Sequence, residues 1–179
     1  MQELFEEFKK RLTSTGCILT SAHAGRADAC FVGFVAPCSM APVRLLVCTS
    51  HENLTHELVE RSGVLALHPV GRGQEGWVRH FGMQTGREVD KLADVRWRPG
   101  VTGAPILDDA LAYLEGRVLD SLVCGDHTAR LVEPVAAAIR DAERPPLTMF
   151  EVLALGLDQD EVPDPPPLYP WTGVSTPRP

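Results

Sequence analysis

Residues 112–123 and 128–139 are two long runs of strand-forming sequence separated only by a few residues around Gly125-Asp126, and this pair constrains the fold more than any other stretch. Gly adopts positive φ without penalty and Asp bonds its own backbone, so Gly-Asp reverses a chain tightly. The second run carries small and β-branched residues, Val132, Val135 and Ala136 to Ala138, which suit a packed sheet. The turn also sets His127 at the mouth of the second strand, where its imidazole can face a ligand or simply satisfy a strand end. Asp126 can fix the tautomer of that imidazole or serve only the turn.

The rest of the chain supplies shorter strands and few helices. Residues 2–13 place Leu4, Phe5, Phe8 and Leu12 on one helical face with Glu and Lys opposite, a docking helix that Gly16 ends. Residues 17–22 and 29–36 read as strands around the loop His23–Asp28, Pro37 and Pro42 bound a loop, and Val43–Thr49 is a third strand. Asn53 or Ser50 caps a helix with Leu54, Leu58 and Val59 on its apolar face and Gly63 as its stop. Strand Val64–Leu67 follows, then a short helix within 75–86 that turns Trp77, Val78 and Phe81 inward. Thr148–Leu155 reads as an extended piece closing an edge. Beyond Gly156, prolines from Pro163 to Pro179 predict an extended arm over 158–179, with Tyr169 and Trp171 packing on something such as a second subunit. The chain therefore divides into a domain over 1–157 and the arm over 158–179. Many short strands argue for a barrel with helices at its openings.

Several functions are disfavoured. A net charge of −7 argues against nucleic acid as main partner, leaving room for a local basic pocket that holds one phosphate. No apolar run approaches the roughly 20 residues that span a bilayer. The start, Met-Gln-Glu-Leu-Phe-Glu-Glu, is opposite in character to a signal or transit peptide, so no membrane partner and a cytoplasmic location are expected. Of the five cysteines (17, 30, 38, 48, 124), four sit in apolar strand-like runs, predicting buried free thiols in a reducing compartment. Gly71-Arg-Gly-Gln-Glu-Gly76 matches the dinucleotide fingerprint, but the βαβ context is missing, so a flexible loop is expected. His56-Glu-Leu-Val-Glu60 begins like a zinc-protease helix, yet Glu60 stands where the second His must be. No metal is predicted. No nucleophile elbow supports a serine hydrolase.

The helix start at Asn53 and Thr55 is the best phosphate candidate, since unpaired N–H groups there attract an anion. Ordinary capping would use the same residues.

Two blocks carry a resemblance. Gly103-Ala-Pro105 leading into a strand that ends in Gly125-Asp126-His127, and Phe81-Gly-Met-Gln-Thr-Gly-Arg-Glu-Val-Asp-Lys91, resemble the flavin reductase-like family of FMN-binding split barrels, over about Gly16 to Ile139. The resemblance implies a mainly β (α+β) fold, a six-stranded antiparallel split barrel with a few peripheral helices, assembled as a homodimer. It implies FMN, or FAD in its place, with NAD(P)H reducing the flavin by hydride transfer and a monooxygenase or other electron acceptor as partner. Cys30 to Phe34 stand where the family shows Thr-Ala-Ser-Ser-Phe, so Phe31, Val32 and Gly33 would line the flavin through backbone N–H groups, and Phe34 is kept. Cys48, Ser50, Asn53 and Thr55 would follow the flavin chain to its phosphate, beside Glu52. Phe81, Arg87 and Lys91 lie on the matched central block, where Arg87 and Lys91 would meet phosphates or form a solvated face. His127 would lie near the flavin or nicotinamide, donating a hydrogen bond. The hydroxyls absent from Cys30–Gly33 keep open a non-catalytic flavin-binding, electron-transfer or sensing protein, or a barrel that has lost flavin and acts as a dimeric interaction module.

Overall fold

The structure is a computed structural model that describes residues 14–156 together with Leu4 and Leu12; the expected docking helix over 2–13 and the arm over 158–179 lie outside the described residues. Its strands are β1 (Cys17–His23), β2 (Arg26–Val32), β3 (Val35–Met40), β4 (Val43–Ser50), β5 (Val64–Pro69), β6 (Trp97–Pro99), β7 (Pro105–Leu107), β8 (Ala112–Cys124) and β9 (His127–Ile139). The helices are α1 (Leu54–Ser62), α2 (Glu75–Gly82) and α3 (Met149–Ala154). One 7-stranded sheet, in the order β2-β1-β5-β8-β9-β4-β3, is antiparallel at every pairing, and β6 and β7 form a two-stranded ribbon. The mostly β, antiparallel architecture expected from the sequence is present. Among the described residues, no helix is long and apolar enough to cross a membrane.

The β8–β9 hairpin is the spine. Ala112 lies opposite Ile139 and Cys124 opposite His127, and Gly125 turns the chain with φ of 73°. Gly116 marks a bulge in β8 where an added Cβ would fall 2.3 Å from Val132 Cγ1, so only glycine lets the two strands approach there. Interior residues of β1, β2, β4, β5 and β9 share one apolar cluster, including Leu19, Cys30, Val47, Leu65 and Val132, because the sheet curls around it. The other side of β1 and β2 is covered too. Ile18 and Ala29 pack with Val78 and Phe81 of α2, Leu147 and Val152. Both faces being covered, all five residues of Cys17-Ile-Leu-Thr-Ser are buried, the hydroxyls of Thr20 and Ser21 included.

Helix α1 ends at Gly63, which takes φ of 67° and donates its N–H to the Val59 carbonyl at 2.9 Å. Its buried face is Leu54, Thr55, Leu58 and Val59.

Three expectations need correction. Thr148–Leu155 is not extended but holds helix α3, because Thr148-Met-Phe-Glu151 is a capping box: the Thr148 hydroxyl accepts the Glu151 N–H, and the Glu151 carboxylate accepts the Thr148 N–H at 2.9 Å. Thr148→Ala is expected to cost about 1 kcal/mol, seen as a lower urea midpoint at unchanged m value. The Pro37–Pro42 loop is instead mostly strand β3, where Pro37 sits beside a bulge on an edge strand and its missing N–H costs no ladder bond. Only Cys17 and Cys30 are buried; Cys48 is half-buried, and Cys38 and Cys124 are exposed. Alternation along β4 and β8 turns Cys48 and Cys124 outward. Burial pushes the Cys17 thiol up to about 12 and Cys30 to about 11, so both stay protonated.

The Gly71–Gly76 segment closes on itself. Gly71 N–H donates to Gln74 Oε1 at 3.0 Å, and Gln74 Nε2 donates to the Asp109 carbonyl at 2.8 Å.

Candidate functional site

Strand register sets which side chains meet. Ser50 and Cys124 both lie opposite His127, while Cys48 and Leu122 both lie opposite Ala129. Directly paired residues share a face, so Cys48, Ser50, His127, Leu122 and Cys124 form one outward surface. Phe34 joins it: its carbonyl accepts the Cys48 N–H at 3.0 Å, and its ring meets the His127 imidazole edge to face at 5.4 Å. Phe34 remains 47% exposed and Leu122 68% exposed. The surface is thus apolar, open, and bordered by a single imidazole.

His127 Nδ1 lies 2.9 Å from Asp126 Oδ1. A carboxylate only accepts, so Nδ1 carries the proton and, in the neutral imidazole, Nε2 is left as an acceptor rather than the donor expected from the resemblance. That hydrogen bond from His127 holds the Asp126 carboxyl below its usual range. The adjoining loop is tied down as His51 N–H donates to the Asp126 carbonyl at 3.0 Å and His51 Nε2 meets Thr128 Oγ1 at 3.0 Å.

Other candidate residues lie elsewhere. Asn53 caps α1 through its backbone alone, its side chain making no cap hydrogen bond. Gly33 is adjacent to Phe34, but a Cβ there would sit 2.9 Å from Met149 Cε, so that side faces α3. Val32 is in the barrel interior, and Phe31 and Phe81 belong to the outer core beneath α2. Arg87 is half-exposed and paired with Glu57 at 2.6 Å.

Thr55 and Lys91 do come together, deep inside. Both are buried, and they meet on Asp28, which is buried as well: Thr55 Oγ1 donates to Asp28 Oδ2 at 2.6 Å, and Lys91 Nζ lies 3.6 Å from Asp28 Oδ1. Lys91 Nζ has no hydrogen-bond partner among the described residues.

A second buried cation lies nearby on β9. Arg130 is fully buried and donates to Thr49 Oγ1, to His56 Nδ1 at 3.2 Å and to Glu60 Oε2 at 3.1 Å. Burial, and then the positive charge of this guanidinium, lower the His56 pKa. Sequence reasoning missed both Asp28 and Arg130. Asp28 was placed in a hairpin loop, and Arg130 lay in a strand noted for small residues. The alternation Thr128, Arg130, Val132, all inward, was the available signal.

This geometry offers a planar ligand an open apolar face, an aromatic edge, an imidazole acceptor and strand backbone.

Residues 10–152 match the family model described as "Flavin reductase like domain". An FMN reductase (NADH), RutF, of Pseudomonas syringae pv. syringae is 33% identical over 122 residues, covering 66% of this chain and 65% of the relative. A diflavin flavoprotein of Synechocystis is 31% identical over 123 residues, and this chain spans only 21% of its length. Among solved structures, a homologue of nitrilotriacetate monooxygenase component B from Mycobacterium thermoresistibile superposes with a TM-score of 0.73 at 26% identity, covering 82% of this chain and 81% of that one.

Proposed function

This chain belongs to the family of flavin reductase like domains, and on that premise we propose that it binds FMN and lets NAD(P)H reduce the flavin by hydride transfer. The observation that carries this reading is the open face of Phe34, Cys48, Ser50 and His127, brought together from three separate segments. A bound flavin supplies the two-electron chemistry; the protein binds, orients and shields. The residues present suit such a group. The exposed Phe34 edge and the apolar Leu122 accept a planar ring, and His127 Nε2 accepts a hydrogen bond from the flavin or from the nicotinamide amide.

The face is open on its outer side, so a second copy of the chain is the natural cover. Leu46 and Leu122, both exposed, would be buried in such a homodimer, and water would be kept from the reacting ring. The names of two relatives, a reductase component of a 4-hydroxyphenylacetate 3-monooxygenase and the component B homologue, suggest a monooxygenase as consumer of the reduced flavin. FAD is the alternative flavin.

The test is the visible spectrum of the purified protein with added FMN. A two-banded flavin spectrum bleached anaerobically by NADH or NADPH supports the reading; retained flavin that neither nucleotide bleaches points to an electron-transfer or sensing protein, which the missing hydroxyls at Cys30–Gly33 favour. His127→Ala is expected to weaken flavin retention or to raise the KM for the nicotinamide nucleotide, in either case about tenfold, the worth of one lost hydrogen bond. Equal KM values together with equal flavin affinity would remove His127 from the site.

A further inference from the structure

We propose that the Asp28 carboxylate occupies, from within the chain, the anion position created by Lys91 and the start of α1, so that this protein recognises flavin by its ring and sugar-alcohol chain rather than by its phosphate. The second half rests on the flavin reading; the internal anion does not.

Two side-chain donors beside the start of α1 that would take a phosphate, the Thr55 hydroxyl and the Lys91 ammonium, are already engaged. Thr55, in the first turn of a nine-residue helix, gives its hydroxyl to Asp28 Oδ2 at 2.6 Å. Lys91 Nζ, wholly buried, faces Asp28 Oδ1 at 3.6 Å. The carboxylate is itself enclosed: a Cβ on Gly86 would fall 2.3 Å from Asp28 Oδ1 and 2.5 Å from its Cγ, so the loop carrying Gly86 can close over Asp28 only because it has no side chain there. Arg26 Nη2 holds that loop by donating to the Gly86 carbonyl at 3.2 Å. An entering phosphate would have to displace Asp28 or sit beside it, and two anions sharing one desolvated site repel strongly. The ammonium, meanwhile, donates a hydrogen bond to no partner among the described residues. The cluster therefore has an anion position that is filled, and its occupant is covalently part of β2.

Two consequences are measurable. Wild-type protein should bind riboflavin and FMN with affinities within about threefold of one another, because the phosphate gains no charge-assisted hydrogen bond. Asp28→Ser removes the charge and opens the space, so it should prefer FMN over riboflavin by about tenfold or more, the worth of such a bond. Inorganic phosphate should raise the Tm of Asp28→Ser and leave that of wild type unmoved, and Asp28→Ser/Lys91→Met should lose both gains. Flavin fluorescence quenching and thermal melts in phosphate against chloride of equal ionic strength read these out. A tenfold FMN preference in wild type overturns the proposal, and so does an Asp28→Ser protein indifferent to phosphate. If Asp28→Ser does not fold, the wild-type ratio decides alone. If wild type binds neither flavin while phosphate still stabilises Asp28→Ser, the flavin reading falls and the internal anion stands.

Discussion

Asp28→Ala is expected to lower the unfolding free energy by about 3–5 kcal/mol, since removing one member of a buried ion pair strands the other. Lys91 is wholly buried and has no hydrogen-bond partner among the described residues, so Asp28 is the charge that makes its burial tolerable. The alanine also leaves the Thr55 hydroxyl, wholly buried, without its acceptor. Lys91→Met should be costly for the mirror-image reason, as it leaves the carboxylate facing only Thr55. The double variant Asp28→Ala/Lys91→Met should recover much of the loss, because replacing both members of a buried pair by apolar groups is often close to neutral. Urea unfolding of the four proteins gives the coupling energy directly. A single-variant loss below about 1 kcal/mol would mean that water reaches the pair and that Asp28 and Lys91 are not isolated from solvent.

The second large effect is a loss of stability in mild acid that originates at His68. This residue on β5 is fully buried and bridges two strands: Nδ1–H donates to the Ile18 carbonyl at 3.1 Å, and Nε2 accepts the Leu107 N–H at 3.2 Å. Those two contacts define a neutral tautomer, and burial lowers its pKa from 6.5 to about 4. The folded protein therefore binds fewer protons at this residue than the unfolded chain does throughout that interval. Its contribution is complete above pH 6.5 and is lost as pH falls toward 4. The gap corresponds to about 3 kcal/mol at most. His68→Asn should be less stable at pH 7, where it loses the bridge, yet show a flatter decline between pH 7 and 4.5. Parallel acid slopes for the two proteins would place the proton uptake elsewhere.

The long hairpin was readable because its signal is local. Gly125 needs a positive φ, Asp126 suits a turn, and the flanking runs are strand formers, so the β8–β9 pairing follows from neighbours in the chain. Helix α1 was equally legible, with Leu54, Leu58 and Val59 at helical spacing and Gly63 in the left-handed conformation that stops it. The segment after Thr148 was misread although its signal was present. Thr148–Leu155 reads as an extended edge piece only if the two polar ends of Thr148-Met-Phe-Glu151 are passed over, and their capping box decides the conformation. Cysteine exposure was misjudged because composition reports an apolar run but not which alternate residue faces inward.

Within the candidate site the division is sharper. The sequence by itself determined that His127 begins a strand, that Phe34 follows a glycine, and that Thr55 lies in the first turn of a helix. Each of these depends on conformational preferences acting over a few residues. Only the tertiary structure decided that Phe34, Cys48, Ser50 and His127 share one open face, since that depends on the register of β9 against β4 and β8. It alone decided that Thr55 and Lys91 turn inward onto Asp28, and that Arg130 is buried beside His56. A charged side chain can be buried only where its counter-charge and hydrogen-bond partners arrive from distant parts of the chain. No local pattern encodes that arrival, and the free energy that settles it is gained only when the sheet has closed.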